Sequence, residues 1–279
     1  MMKTAIMTDT NSGIPANNDL GCFVLPMPVS VDGRTYTEGV DITHAQLYAA
    51  MRHGLDIHSS QPSPGDFIAM WDNILKVYDQ VVYIPMSSGL SGSCKTAQSF
   101  AEGYDERVLV VDNHRISVTL YESVLEAMNL VGQGKSGTEI KKHLEDTASQ
   151  SSIYITVSSL EYLKRSGRVT AAGAAIAGVL NLKPVLTIQG GKLDAFAKIR
   201  GMKASQKRMV EAVRQDIETR FAGRRVRIGA AGTFEDPEDA KAWRRRLAEA
   251  FPETEVYYQS LSCSIACHVG IDAAGVGVS

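Results

Sequence analysis

The chain is 279 residues long and carries a formal net charge of −2. That length supports one large or two modest domains with a substantial core and needs no disulfide staples. The near-neutral balance points away from nucleic acid and from an anionic membrane surface as partners, and the clusters Arg224-Arg225-Val226-Arg227 and Arg244-Arg245-Arg246 read as solvated faces.

Ala5 to Thr8 reads as a first strand that enters an acidic turn. The opening lacks the apolar stretch of a signal peptide, and no apolar run reaches membrane-spanning length. A cytoplasmic protein without stable membrane insertion is expected. Asp9 to Pro15 is a polar turn with helix-starting chemistry. Cys22 to Val31 is interrupted by Pro26 and Pro28 and reads as an edge strand or extended segment. Asp32-Gly33 signals a hairpin that returns through Arg34 to Tyr36. Thr43 caps a helix carrying Leu47, Ala50 and Met51. Ser63 as N-cap, Pro64 at the first helical position and Asp66 at the third start another, with Phe67, Met70, Trp71, Ile74 and Leu75 on its apolar face.

Val81 to Met86 is a buried-type strand. It leads into the loop Ser87-Ser88-Gly89-Leu90-Ser91-Gly92-Ser93, and Cys94 to Ala101 begins a helix. Val108 to Val111 is a further strand, and Val118 to Gly132 and Gly137 to Ala148 are helices. This alternation implies a mostly parallel sheet flanked by helices, with ligands expected at the carboxyl ends of its strands. From Ile153 the pattern changes. A glycine-broken helix, Leu160 to Arg168, precedes the uncharged run Ala171 to Leu180, which reads equally as a packed core helix or as the wall of an apolar tunnel. Pro184 to Ile199 is a hairpin through Gly190-Gly191. Ser205 to Phe221 and Asp236 to Ala250 are helices, and Val226 to Gly229 and Glu255 to Leu261 are strands. The expected architecture is two α/β domains. Residues 1–155 form the first, and residues 156–279 form the second, with a mixed, more antiparallel sheet.

The serine-glycine loop has the recipe of an anion cradle: free N–H groups at a helix start, a favourable dipole, and hydroxyl donors. As a nucleotide P-loop it fails, because G-x-x-x-x-G-K-S/T needs a glycine where Cys94 precedes Lys95-Thr96. As a hydrolase elbow, Gly89-Leu90-Ser91-Gly92-Ser93 has serine at the fifth position, and the strand ends well before Ser91. The order Ser91, Asp112, His268 nevertheless matches that of such enzymes, so a serine-dependent esterase using Ser91 and His268 is the alternative function. The third reading is stoichiometric binding of a carboxylate with an apolar tail, held by hydroxyls at Ser59-Ser60 and Ser91. Cys263-x-x-x-Cys267-His268 is one residue too long for a haem attachment motif. Together with Cys22 and Cys94, its cysteines read as buried free thiols, and no metal is expected.

Four further stretches now matter: Thr8-Asp9-Thr10, Ser59-Ser60-Gln61-Pro62-Ser63-Pro64-Gly65, Leu163-Lys164-Arg165-Ser166-Gly167-Arg168-Val169 and Lys198-Ile199-Arg200-Gly201-Met202-Lys203. Together with the focal loop they resemble the DegV family, in order and over nearly the whole chain. The resemblance implies a bacterial fatty-acid-binding protein of two α/β domains with the acid between them. Some members serve as the acyl-carrying subunit of a fatty acid kinase, whose separate ATP-binding protein phosphorylates the carboxylate. The implied carboxylate ligands fall on Ser59, Ser91 and the adjacent Gly92. The implied head-group or phosphoryl-facing pair falls on Arg168 and His268. In the tail motif His268 and Gly270 match, while both prolines and two glycines of the family pattern are replaced. On this reading the chain is a carrier, not an enzyme, and takes no cofactor. Its ligand is a long-chain acid of roughly C16–C18 length, and an uncharged segment, Ala171 to Leu182, helps line the tail's tunnel.

Overall fold

The computed structural model describes residues 2–174, 182–188 and 191–279. In the first half the chain runs through β1 (Thr4–Asp9), β2 (Phe23–Leu25), β3 (Pro28–Val31), β4 (Arg34–Thr37), α1 (His44–Arg52), β5 (Ile57–Ser59), α2 (Pro64–Ile74), β6 (Gln80–Ile84), α3 (Ser93–Ala101), β7 (Val108–Val110), α4 (Val118–Gly132) and α5 (Gly137–Asp146). In the second half follow β8 (Ser152–Thr156), α6 (Glu161–Ser166), α7 (Ala171–Ala174), β9 (Val185–Ile188), β10 (Asp194–Ala197), α8 (Met202–Glu218), β11 (Ile228–Gly232), α9 (Pro237–Ala250), β12 (Val256–Ser260), α10 (Cys263–Val269) and β13 (Ala274–Val278).

The first sheet has the order β2-β1-β6-β7 and is parallel throughout. All six residues of β1 are buried, as a strand covered on both faces requires. On one face pack Phe67 and Trp71 of α2 and Ala97 of α3. The Ser63 start of α2 is a full capping box, with Asp66 returning the hydrogen bond to the Ser63 N–H. The Asp32-Gly33 hairpin forms between β3 and β4, and β5 completes a small antiparallel sheet on the other side of β3. Cys22 to Val31 divides as its prolines suggest, between the edge strand β2 and this small sheet.

The second sheet has the order β10-β9-β8-β13-β11-β12, and every pairing is antiparallel except β11 with β12. The mixed sheet is therefore as expected, with one difference at its start. β8 begins at Ser152 and pairs on both sides within this sheet, so the sheet starts a few residues ahead of the expected 155/156 boundary. A strand's periodicity shows that it is a strand, not which sheet it joins. Most of the run Ala171 to Leu182 lies outside the described residues.

α4 lies between the two sheets. One continuous core links Ile6 and Val82 of the first sheet, Leu120 and Val124 of α4, and Ile155 and Leu186 of the second. Across this core runs a polar latch. The Asn11 side-chain carbonyl accepts from Ser262 Oγ at 2.9 Å and Ser264 Oγ at 2.5 Å, which ties the turn after β1 to the start of α10. All three residues are buried. Replacing Asn11 with alanine removes the acceptor shared by both hydroxyls and leaves them their 3.1 Å contact with each other, at a cost of about 1–3 kcal/mol. We expect a lower urea midpoint with an unchanged slope; an unchanged midpoint would show that the latch carries no stability.

Candidate functional site

The loop after β6 is braced from within. Leu90 and Ser91 donate their N–H groups to the Ser87 carbonyl, Gly89 N–H reaches Ser87 Oγ, and Ser88 N–H reaches Asp112 Oδ1. Beside it Asp9, fully buried at the end of β1, accepts from the Asn11 and Met86 N–H groups at 2.9 Å each. Burial pushes its carboxyl up to about 6 against those two hydrogen bonds. Ser91 Oγ accepts the Ser93 N–H at 3.2 Å, which leaves its hydroxyl proton to donate outward. Gly92 is the N-cap of α3, and a Cβ there would come within 3.2 Å of Gln61 Oε1. Its small size lets the Gln61 segment close over the loop.

Ser59 ends β5 and stands opposite. Its Oγ lies 2.7 Å from Nε2 of His268, on the last turn of α10. Burial, then the nearby Arg168 charge and His58, holds the His268 ring down to about 4, so it is neutral at neutral pH. Its Nδ1 is buried and has no partner among the described residues. Arg168 enters from the second half through the turn that ends α6 at Gly167 (φ 70). It donates from Nε to the Leu90 carbonyl at 3.3 Å and from Nη1 to the Ser166 carbonyl at 2.5 Å.

These residues share the lining of one cavity that is partly open to solvent. Ser59, Ser60, Gln61, Ser91, Arg168 and His268 form its polar end; Met86, Ile116, Ile155, Leu163, Leu193 and Ile265 are among its apolar walls. Every expected site residue except Gly92 lines it, and Gly92 stands behind Gln61. A carboxylate at the polar end meets hydroxyl donors and one guanidinium, while an apolar tail meets mostly apolar side chains, with Asn11, Ser117 and Ser264 as the further polar residues of the lining.

A Ser91-His268-Asp112 triad does not form. His268 pairs with Ser59, and Asp112 is taken by the Ser88 N–H and lies 3.3 Å from His114 Nδ1. Cys267 Sγ donates to the Cys263 carbonyl one turn back, as a buried thiol in a helix does. Glu38, His44 and Cys263 bring three potential metal-ligating atoms within 4.8 Å of one another. Their hydrogen bonds describe a second latch instead: Glu38 Oε1 accepts the Cys263 N–H at 2.6 Å, and His44 Nε2 lies 2.8 Å from the Leu261 carbonyl. Burial also pushes the Cys263 thiol well above its usual range, which favours the neutral form. Sequence reasoning missed both latches. Their acceptors, Asn11 and Glu38, look like ordinary turn residues until α10 is placed on them.

The chain was compared with known proteins. The model of the DegV family, described as uncharacterised proteins, matches residues 3–279. The chain belongs to the DegV family. A DegV domain-containing protein of Deinococcus radiodurans is 33% identical over 99% of this chain and 98% of its own length. Among solved structures, a DegV family protein from Thermus thermophilus, described by its fatty acid binding, superposes with a TM-score of 0.89. It is 31% identical, with 99% of each chain covered. DegV of Bacillus subtilis, a fatty acid binding protein, superposes at 0.87 with 27% identity, covering 100% of this chain and 99% of that one. No helix among the described residues is long and apolar enough to cross a membrane.

The neutral His268 makes a pH prediction. Folding holds its ring unprotonated to about pH 4, whereas the unfolded ring protonates near 6.5. As pH falls through that window the unfolded chain takes the proton first, so the folded state loses stability, by on the order of 3 kcal/mol at full effect. Asp9 works the other way, because its raised value makes the folded state take up the proton first. Comparison with His268→Gln cancels the Asp9 contribution. The melting temperature of the wild type minus that of the variant should therefore fall between about pH 7 and about pH 4. Parallel melting curves across that window would mean that the ring is not held neutral.

Proposed function

We propose that this chain is a carrier for a long-chain fatty acid, held between its two units with the carboxylate at Ser59 and Ser91. The observation that carries this reading is that two hydroxyls, from β5 and from the loop after β6, line the same mostly apolar cavity. The fatty acid binding described for the Thermus thermophilus and Bacillus subtilis relatives supports it. We place the junction between the units at residues 147–151, ahead of β8.

The energetics favour such a ligand. A chain of roughly C16–C18 length buries about 14 methylenes at about 0.8 kcal/mol each, or about 11 kcal/mol before association costs. Hydrogen bonds to the charged head add about 2–3 kcal/mol. The tail supplies affinity and the head supplies orientation. Ser91 donates its free proton to one carboxylate oxygen. Ser59 donates to the other if it accepts from His268 Nε2–H, the tautomer that leaves the buried Nδ1 without a proton to place. Arg168 and His268 face the head group, where a separate ATP-dependent fatty acid kinase would phosphorylate the carboxylate. The chain itself is then a subunit without turnover and without a cofactor of its own.

The Ser91→Ala variant should bind palmitate between severalfold and about a hundredfold more weakly in a fluorescence displacement titration, with its melting temperature nearly unchanged. Equal affinity would overturn the head-group assignment. Neither protein should cleave a chromogenic ester; cleavage abolished by the Ser91 change would establish the hydrolase reading instead.

A further inference from the structure

Part of the cavity wall comes from two rows of residues on one face of the second sheet. Across β8, β13 and β11, the row nearer the head group is Ile155, Gly275 and Ala231; the farther row is Ile153, Gly277 and Gly229. Gly275 and Ala231 border the cavity directly. The farther glycines do not, because Val118 covers them. A Cβ on Gly229 would fall 2.4 Å from Val118 Cβ, and one on Gly277 would fall 2.6 Å from Val118 Cγ2. Only glycine at both positions admits Val118 this closely. Val118 is itself buried and lines the cavity.

Three features hold Val118 in place. Its side chain is β-branched and stiff. Its carbonyl accepts from the Tyr257 hydroxyl at 3.1 Å. The preceding Ser117 sits at φ 55, a strained value for serine, with its N–H donated to the Asn11 carbonyl at 2.8 Å. On the β8 side Ile153 lines the cavity itself; on the β13 and β11 side Val118 lines it in place of the two glycines.

We propose that Val118, seated in the Gly229 and Gly277 hollow, is the stop that limits the length of acyl chain the cavity accepts. The proposal rests on the fatty-acid reading above. Two substitutions test it in opposite directions. Val118→Ala reopens the hollow. Gly275→Ala adds a methyl to the cavity, and the fold tolerates it, because a Cβ there meets nothing closer than 3.7 Å.

The wild type and both variants are offered an equimolar mixture of saturated acids from about C14 to about C20, and native mass spectrometry reads which masses are bound. Relative to the wild type, Val118→Ala should shift the bound population by about one or two carbons towards longer acids, and Gly275→Ala should shift it towards shorter ones. Lipid-loaded variants with the wild-type distribution, or shifts in the opposite sense, would overturn the length stop while leaving the fatty-acid reading intact. A wild type that takes up none of the acids would overturn that reading itself, and the stop with it. Should Val118→Ala fail to fold, the Gly275→Ala distribution decides alone.

Discussion

Two sheets share one apolar core, and the polar groups trapped there must find partners. That constraint organises the molecule. Thr8 Oγ1 donates to the Ile84 carbonyl, Asp9 accepts two backbone N–H groups, and Asn11 accepts two serine hydroxyls from the far half. Each interaction satisfies a group whose isolation would cost about 1–3 kcal/mol. Together they join the carboxyl edge of the parallel sheet to α10. Donor capacity is left over at the rim of the cavity, where the Ser91 hydroxyl proton is free for an acceptor such as a carboxylate oxygen.

The same arrangement separates affinity from orientation. The cavity walls come from the second sheet, from the loops that follow β1, β2 and β6, and from the start of α4, so a tail lodged there would join the core that holds the units together. A carboxylate head at the rim would lie among hydroxyls and one guanidinium. A neutral imidazole in that position suits a carrier: it orients Ser59 without adding a second fixed positive charge beside Arg168. The guanidinium, braced on the Leu90 carbonyl, links the loop of the first unit to the turn after α6 in the second.

Much of this was legible in the residues. The capping chemistry at Thr43 and Ser63 and the apolar runs of β1 and β6 declare themselves locally, and so does the Asp32-Gly33 turn. The joint use of Ser59-Ser60 and Ser91 was readable from their hydroxyls as one of three readings of the loop, and the resemblance favoured it, although nothing local in either segment points to the other. The central strand β13 was not legible. Its sequence, Ala-Gly-Val-Gly-Val, is poor in strand formers, and its glycines make sense only once Val118 and α4 lie across them. For the same reason α10 passed as a cysteine-histidine motif: its helical character depends on Ser262 as N-cap and on Asn11 and Glu38 as distant acceptors. That β8 joins the second sheet was not legible beyond the change of pattern at Ile153, because the sheet a strand joins is a tertiary property.

A carboxylate held between two hydroxyls, with its tail buried in the cavity, should be visible in a crystal structure of the protein incubated with palmitate. The carboxylate should lie within hydrogen-bond reach of Ser59 Oγ and Ser91 Oγ, and the alkyl chain should extend past Ile116 towards Val118. A cavity left empty at saturating palmitate, or a chain bound in reverse with its carboxylate at Val118, would contradict this arrangement.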